Sequence, residues 1–205
     1  MYKRLIFPAV QKNNDSIGNV LSKLVPRNGL ILEIASGSGE HAVIFQKRFP
    51  GIIWQASDPE ISHRNSISAW IDYQGLTKRM PQPIDLNVEK KPWPLTPMMR
   101  STIQGAICIN MIHISPWSCT KALFEESIKF LKKNQFLILY GPFFRKGKIT
   151  SESNISFDQS LKLQNPFWGI RHLDSVNEIA FKNGFVQEKI IEMPANNLSV
   201  IYRLN

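Results

Sequence analysis

Apolar runs and amphipathic stretches alternate through the first two thirds of the chain. The runs Leu30 to Ile34, Ile52 to Ser57, Pro83 to Leu86, Gly105 to Ile109 and Phe136 to Tyr140 have the length and composition of buried strands. Helices are expected between them. The clearest are Glu40 to Arg48, closed by Pro50-Gly51; Ser62 to Tyr73, with Ser62 as the candidate cap; and Thr120 to Leu131, whose Ala122, Leu123, Ile128 and Leu131 can share one face. Alternation of this kind predicts an α/β fold with parallel strands. The last third changes character. Phe185 to Ile191 and Leu198 to Leu204 are β-prone and separated only by Glu192 to Asn197, too little chain for a crossover helix, so they are expected to pair antiparallel.

One junction in this pattern carries candidate chemistry. Leu30-Ile31-Leu32-Glu33-Ile34-Ala35-Ser36-Gly37-Ser38-Gly39-Glu40-His41 reads as a buried strand, a glycine-bearing turn and the start of a helix. Gly37 and Gly39 let the backbone pass close to a ligand at the helix N-terminus, the geometry of a nucleotide or nucleoside cradle. A dinucleotide fingerprint would put its acidic residue about 20 residues after the glycines, whereas Glu33 precedes them. A P-loop would need Gly-Lys-Ser/Thr, which is absent. The segment instead resembles the E-x-G-x-G-x-G turn of class I S-adenosylmethionine (SAM) methyltransferases, with Ala35 in place of the first glycine. Alanine fits that place where φ stays negative and is strained there only where φ must be positive.

Composition sets the bounds. At 205 residues the chain is expected to form a single domain over 1–205, and 43% hydrophobic with 20% charged residues excludes a disordered or fibrous chain. Two cysteines, Cys108 and Cys119, are too few for a disulfide scaffold and suggest a reducing, cytoplasmic setting. The start, Met1 to Pro8, lacks the apolar stretch of a signal peptide, and no segment approaches the ~18 apolar residues of a membrane helix. The net charge of +9 could attract an anionic partner such as nucleic acid. The basic residues are scattered in pairs, however, with Arg145-Lys146-Gly147-Lys148 the densest group, which reads as a solvated surface.

In an open α/β sheet, ligands bind at the carboxyl ends of the strands. Asp58 follows the second predicted strand and is the candidate acceptor for both hydroxyls of a ribose; the alternative is a helix-capping or turn aspartate before Pro59. Asp85 could accept from an adenine amino group while Leu86 packs on the ring, or be another turn aspartate. Ser36 and Ser38 are candidate donors to the ligand. Glu33 would orient the loop or face the positive end of SAM, and once buried it must have a partner. After the fourth strand, Asn110 could face the methyl donor and His113 is a candidate base, with a structural histidine as the alternative.

These residues make the chain similar to a particular family, the methyltransferase-like protein twenty-six proteins and their bacterial relatives. The resemblance is carried by Pro8-Ala9, Asn13, Leu32 to Ala42, Trp54-Gln55, Ser57-Asp58 and Cys108 to Trp117. It continues through Leu139 to Phe143, Ser153-Asn154, Phe157-Asp158, Trp168-Gly169 and Met193 to Ser199. In that family alanine is usual at the place of Ala35, and threonine is common at the place of Ser38. The resemblance implies a Rossmann-like, doubly wound, seven-stranded sheet of five parallel strands plus the hairpin, with helices on both faces. It also implies a SAM site and leaves the acceptor open. Residues 141–175 would form a capping segment on the substrate side, where Phe143, Asn154, Phe157, Trp168 and Asn196 could build an aromatic pocket with a few polar groups. Phe157 and Trp168 could equally be core residues of that segment.

Methyl transfer from a sulfonium is an in-line displacement that demands positioning and no metal. His113 or Asp158 would serve as base where the acceptor must lose a proton. A small molecule is the expected acceptor. Two alternatives remain: a non-catalytic SAM-binding or interaction protein on the same fold, and an RNA methyltransferase, suggested by the charge but lacking an Asn-Pro-Pro-Tyr motif.

Overall fold

The buried runs become strands and the amphipathic stretches helices, in a mixed α/β fold. Its seven-stranded sheet is mostly parallel, ends in an antiparallel C-terminal hairpin and has helices around it. The computed structural model describes residues 3–205, so Met1 and Tyr2, which open the segment read for a signal peptide, lie outside the described residues. The chain separates into two compact units, the first ending at Ile107 and the second starting at Cys108.

The first unit opens with helix α1 (Pro8–Leu21), where Pro8 occupies the first turn and its missing N–H leaves nothing unsatisfied. Its Val10, Ile17 and Leu21 are buried, a helical spacing diluted in the sequence by the polar run between them. Strand β1 (Gly29–Ile34), helix α2 (Glu40–Arg48) and strand β2 (Ile52–Ala56) follow, with β1 and β2 parallel in the register Gly29↔Ile52 to Glu33↔Ala56. Trp54 on β2 is fully buried, its ring centroid 5.2 Å from that of Phe45 on α2. Helix α3 (Ile61–Tyr73) starts one residue before the predicted Ser62; Glu60 takes the cap position without a side-chain cap bond.

Pro83 to Leu86, expected as a strand, forms a single parallel bridge, Ser57↔Ile84. Ile84 donates its N–H to the Ala56 carbonyl at 3.1 Å and accepts from the Asp58 N–H at 3.1 Å. Pro81 and Pro83 have no N–H with which to extend the ladder. Helix α4 (Pro97–Thr102) then leads into β3 (Ile103–Ile109).

In the second unit, helix α5 (Trp117–Ser127) begins and ends earlier than expected, and Ile128 is left exposed while Ala122, Leu123 and Leu131 are buried. Strand β4 (Phe136–Phe144) runs through Gly141-Pro142, past the predicted end at Tyr140. Helix α6 (Glu152–Gln164) is capped by Ser151, whose hydroxyl accepts from the Asn154 N–H. The two-residue strand β5 (Arg171–His172) pairs parallel with β4 and completes the strand count that Pro83 to Leu86 leaves open. Helix α7 (Leu173–Lys182) buries Leu173, Val176 and Ala180. Strands β6 (Phe185–Met193) and β7 (Asn197–Leu204) form the predicted antiparallel hairpin, and β7 also pairs antiparallel with β4. Phe124, Phe185 and Tyr202 pack edge to face in the core of this unit. Among the described residues no helix is long and apolar enough to cross a membrane.

Candidate functional site

In the first unit the glycine turn between β1 and α2 is held by hydrogen bonds to the end of β2. The Ser36 N–H donates to the Ser57 carbonyl at 2.8 Å, and the Ser57 N–H donates back to the Ser36 hydroxyl at 3.1 Å. The Ser57 hydroxyl donates to the Glu33 carbonyl at 2.7 Å. Asp58 completes the clasp: its Oδ2 accepts from the Gly37 N–H at 2.9 Å, and its Oδ1 accepts from the Glu60 N–H at 2.9 Å and meets His63 Nδ1 at 3.0 Å. Asp58 is 3% exposed, so these bonds decide its orientation.

The turn needs left-handed backbone at three places. Ala35 has φ 56°, Gly37 56° and Gly39 88°. Ala35 therefore occupies the conformation in which alanine is strained, contrary to the easy fit open to it at negative φ. A Cβ on Gly39 would come within 2.8 Å of the Ile67 Cα, so glycine is what lets α2 start against α3. At Gly37 the nearest atom to an added Cβ is Phe7 Cε2, at 3.0 Å. Phe7 thus lies over the turn. Its N–H donates to Glu40 Oε2 at 2.7 Å, and the same oxygen accepts from the Ser38 hydroxyl at 2.9 Å. Leu5 ties the same N-terminal stretch to α3, its N–H donating to Ser66 Oγ at 2.8 Å and its carbonyl accepting from Trp70 Nε1 at 2.9 Å.

Glu33 is fully buried and has the partner its burial requires: Trp54 Nε1 donates to its Oε2 at 2.5 Å. Burial pushes its carboxyl up to about 8, opposed by the Trp54 bond and reinforced by the Asp58 charge. Ser36 and Ser38 are buried, and their hydroxyls serve the turn itself. Asp85 is 68% exposed at its side chain and pairs with Arg64 at 3.0 Å, while Leu86 is buried.

The second unit gathers a different set. Asn110 has φ 60°, and its N–H donates to the Tyr140 carbonyl at 2.8 Å. His113 is buried against Gly141, where a Cβ would meet His113 Cε1 at 2.7 Å and Asn110 Oδ1 at 3.4 Å. Nδ1 of His113 has no hydrogen-bond partner among the described residues although it is buried. Burial, with the Arg171 charge adding to it, lowers His113 to about 3, so the ring is neutral at ordinary pH. The ring of Phe157, 40% exposed, stands edge-on to His113 at 5.8 Å.

Asp158 has a local task. Its Oδ1 accepts from the Ile170 N–H at 2.7 Å and its Oδ2 pairs with Lys162 at 2.5 Å, clipping α6 to the segment before β5. Phe143, Asn154 and Asn196 line one cleft of this unit, whereas Phe157 and Trp168 lie outside that lining; Trp168 is half-buried. Asn154 Nδ2 donates to the Asn196 carbonyl at 3.3 Å. Among the described residues no group of three or more His, Cys, Asp or Glu side chains could hold a metal ion. Sequence reasoning missed Phe7, Trp54 as the Glu33 partner, and His63. A helix start at Pro8 was the available pointer to Phe7.

A mixed seven-stranded sheet ending in an antiparallel hairpin, with a glycine turn after its first strand, is the fold of class I SAM-dependent methyltransferases. The chain belongs to the family described as Protein of unknown function (DUF938), which matches it over residues 4–204. Among solved structures it is similar to the mitomycin 7-O-methyltransferase MmcR: TM-score 0.78 and 13% identity, over 94% of this chain and 54% of that one. It is also similar to human N-acetylserotonin methyltransferase in complex with SAM: TM-score 0.75 and 12% identity, over 96% and 53%. CalO1, a methyltransferase in calicheamicin biosynthesis in its SAH-bound form, gives TM-score 0.70 and 9% identity over 93% and 54%. The chain spans about half the length of these proteins, and identities this low establish the fold alone.

Proposed function

We propose that this chain is a SAM-dependent methyltransferase acting on a small molecule by in-line transfer. The observation that carries the reading is the Gly37 turn, clasped by Asp58 at the carboxyl ends of the parallel strands β1 and β2. Ligands of open α/β sheets bind at such ends. The residues present fit the cofactor's nucleoside. Gly37 has no side chain of its own, and the Phe7 ring that covers it would have to move aside for the nucleoside; a carboxylate has about four acceptor sites, of which three are used on Asp58, leaving one on Oδ2 for a ribose hydroxyl. A second hydroxyl would have to displace His63.

SAM supplies an electrophilic methyl group on a cationic sulfur. Glu33, Ala35, Ser36, Gly37, Ser38 and Gly39 would shape the turn around it, and Leu86 would pack on its adenine, with Asp85 accepting from the amino group. Asn110 is the proposed methyl-side residue. His113 would accept a hydrogen bond from an acceptor hydroxyl through its unpartnered Nδ1, orienting the oxygen for attack. Asp158 is the weaker candidate for a proton acceptor, because both oxygens are engaged within its own unit. Phe143, Asn154, Phe157, Trp168 and Asn196 are the proposed acceptor-side residues. Two buried cysteines, Cys108 and Cys119, neither of them in a disulfide, support a cytoplasmic setting. The narrower likeness to methyltransferase-like protein twenty-six belongs to the same proposal.

Calorimetry with SAM and with its demethylated product tests the reading, and binding of both is expected. No affinity for either would refute it. A second reading, a non-catalytic protein on this fold, is favoured by Phe7 covering Gly37. SAM binding without any methylated product across small-molecule, protein and RNA pools would support that reading instead.

A further inference from the structure

Arg145-Lys146-Gly147-Lys148, the densest basic group in the chain, lies beside a cleft of the second unit. The cleft is about 90 Å³ and is formed by the loop after β4, the start of α6 and the turn joining β6 to β7. Phe143 and Leu198, both buried, supply apolar surface, and Arg145, Lys148, Asn154 and Asn196 supply polar groups. Arg145 Nη1 pairs with Glu192 Oε1 at 2.7 Å, whereas the Lys148 ammonium meets no acceptor among the described residues. Two cations therefore face one carboxylate. The one turn that contributes Asn196 holds two non-glycine residues in left-handed conformation, Ala195 and Asn196, both at φ 56°. Strain of this kind persists where the surroundings impose it and is concentrated at functional sites. Ile149 on the basic loop is wholly exposed, an apolar side chain that a ligand in the cleft would take out of water.

We infer that this cleft binds a small carboxylate-bearing molecule, with Lys148 and Arg145 taking the carboxylate and Phe143, Leu198 and Ile149 taking the adjoining apolar atoms. The inference names the acceptor class and rests on reading the second unit as the acceptor side. The excess of one positive charge matches a monoanion; a dianionic phosphate would meet the Glu192 carboxylate at the same place. Size points the same way. A cavity of roughly 150 Å³ holds a benzene-sized guest, so a smaller cleft takes the charged end of a ligand and leaves the rest outside.

The test titrates the whole chain, without SAM, with benzoate, benzamide and inorganic phosphate, following backbone amide shifts by NMR. Benzoate is expected to shift amides of residues 145–151 and 194–196, and benzamide to bind at least tenfold more weakly. Lys148→Glu, a change on an exposed loop, is expected to weaken benzoate at least tenfold, and Lys148→Arg to retain it. Equal binding of benzoate and benzamide, indifference to Lys148→Glu, or phosphate binding tighter than benzoate would each overturn the inference. Benzoate binding by a chain with no affinity for SAM would uphold the cleft and remove the methyltransferase reading; SAM binding with no benzoate site would do the reverse.

Discussion

The Gly37 N–H donates to Asp58 Oδ2 across the turn between β1 and α2, so one carboxylate holds the backbone of the proposed cradle in place. Asp58 then has two tasks, and substitutions separate them. Asp58→Ala leaves the Gly37 and Glu60 donors without their acceptor and is expected to cost about 1–3 kcal/mol of stability, together with tenfold or more in SAM affinity. His63→Ala frees an acceptor site on Oδ1 and is expected to leave stability nearly unchanged and SAM affinity equal or higher. Thermal unfolding and calorimetry on both variants check this. SAM affinity untouched in Asp58→Ala would remove Asp58 from the site.

Ala35 sits at φ 56°, where an L-residue carries a penalty of roughly 1–2 kcal/mol that glycine escapes. Glycine's greater freedom in the unfolded chain offsets about half of this. Ala35→Gly is therefore expected to raise stability by about 0.5–1 kcal/mol, seen as a higher denaturant midpoint at unchanged slope. A lower midpoint would mean that the Ala35 methyl makes contacts outweighing the backbone strain.

Three buried groups set a pH optimum of stability. His41, hydrogen-bonded to Asn13 and lowered by burial to about 4, and His113, lowered to about 3, are neutral in the fold but bind protons in the unfolded chain below about 6.5. Their contribution is present above pH 6.5 and is lost as pH falls. Glu33, raised to about 8, stays protonated in the fold while its unfolded counterpart ionises above about 4.5, so its contribution is lost as pH rises from 4.5 to 8. Between 4.5 and 6.5 the two histidines outweigh the one glutamate, and above 6.5 the glutamate acts alone. Stability from these groups is expected to peak near pH 6.5 and to fall towards pH 8 by up to about 1.4 kcal/mol per pH unit. Glu33→Gln keeps an acceptor for Trp54 Nε1 and should flatten the alkaline limb in denaturant titrations across pH. An unchanged limb would place the effect elsewhere.

The parts of the fold legible in the sequence are those fixed by local pattern. Helix α2 has the predicted bounds, Glu40 to Arg48, because Gly39 before it and Pro50-Gly51 after it are local signals. The hairpin of β6 and β7 was legible for the same reason, as its short connection excludes a crossover. Pro83 to Leu86 imitates a strand in composition but, with Pro81 and Pro83 lacking an N–H on the approach to Ile84, pairs only through a single bridge. The site was legible as a list of residues and not as a set of pairs. Nothing local to Glu33 marks Trp54 as its donor, and nothing near Gly37 marks Phe7 as its cover, since both meetings depend on chain that returns from elsewhere. The left-handed φ of Ala35 was equally hidden, because alanine is ordinarily a sign of negative φ.

His113 and Phe157 give the last prediction. The imidazole is held near 3 chiefly by burial, and the partly exposed Phe157 ring stands edge-on to it. Phe157→Ala opens that side to water, which restores hydration to the charged imidazolium and raises the histidine towards its ordinary value. Because Phe157 lies on an exposed face of α6, the fold is expected to survive. NMR titration of the ring nitrogens should therefore show His113 titrating at least one pH unit higher in the variant than in the parent chain, with His41 unmoved as the internal control. A His113 titration unchanged by Phe157→Ala would mean that the Arg171 charge and the packing on Gly141, rather than the Phe157 cover, keep the ring neutral.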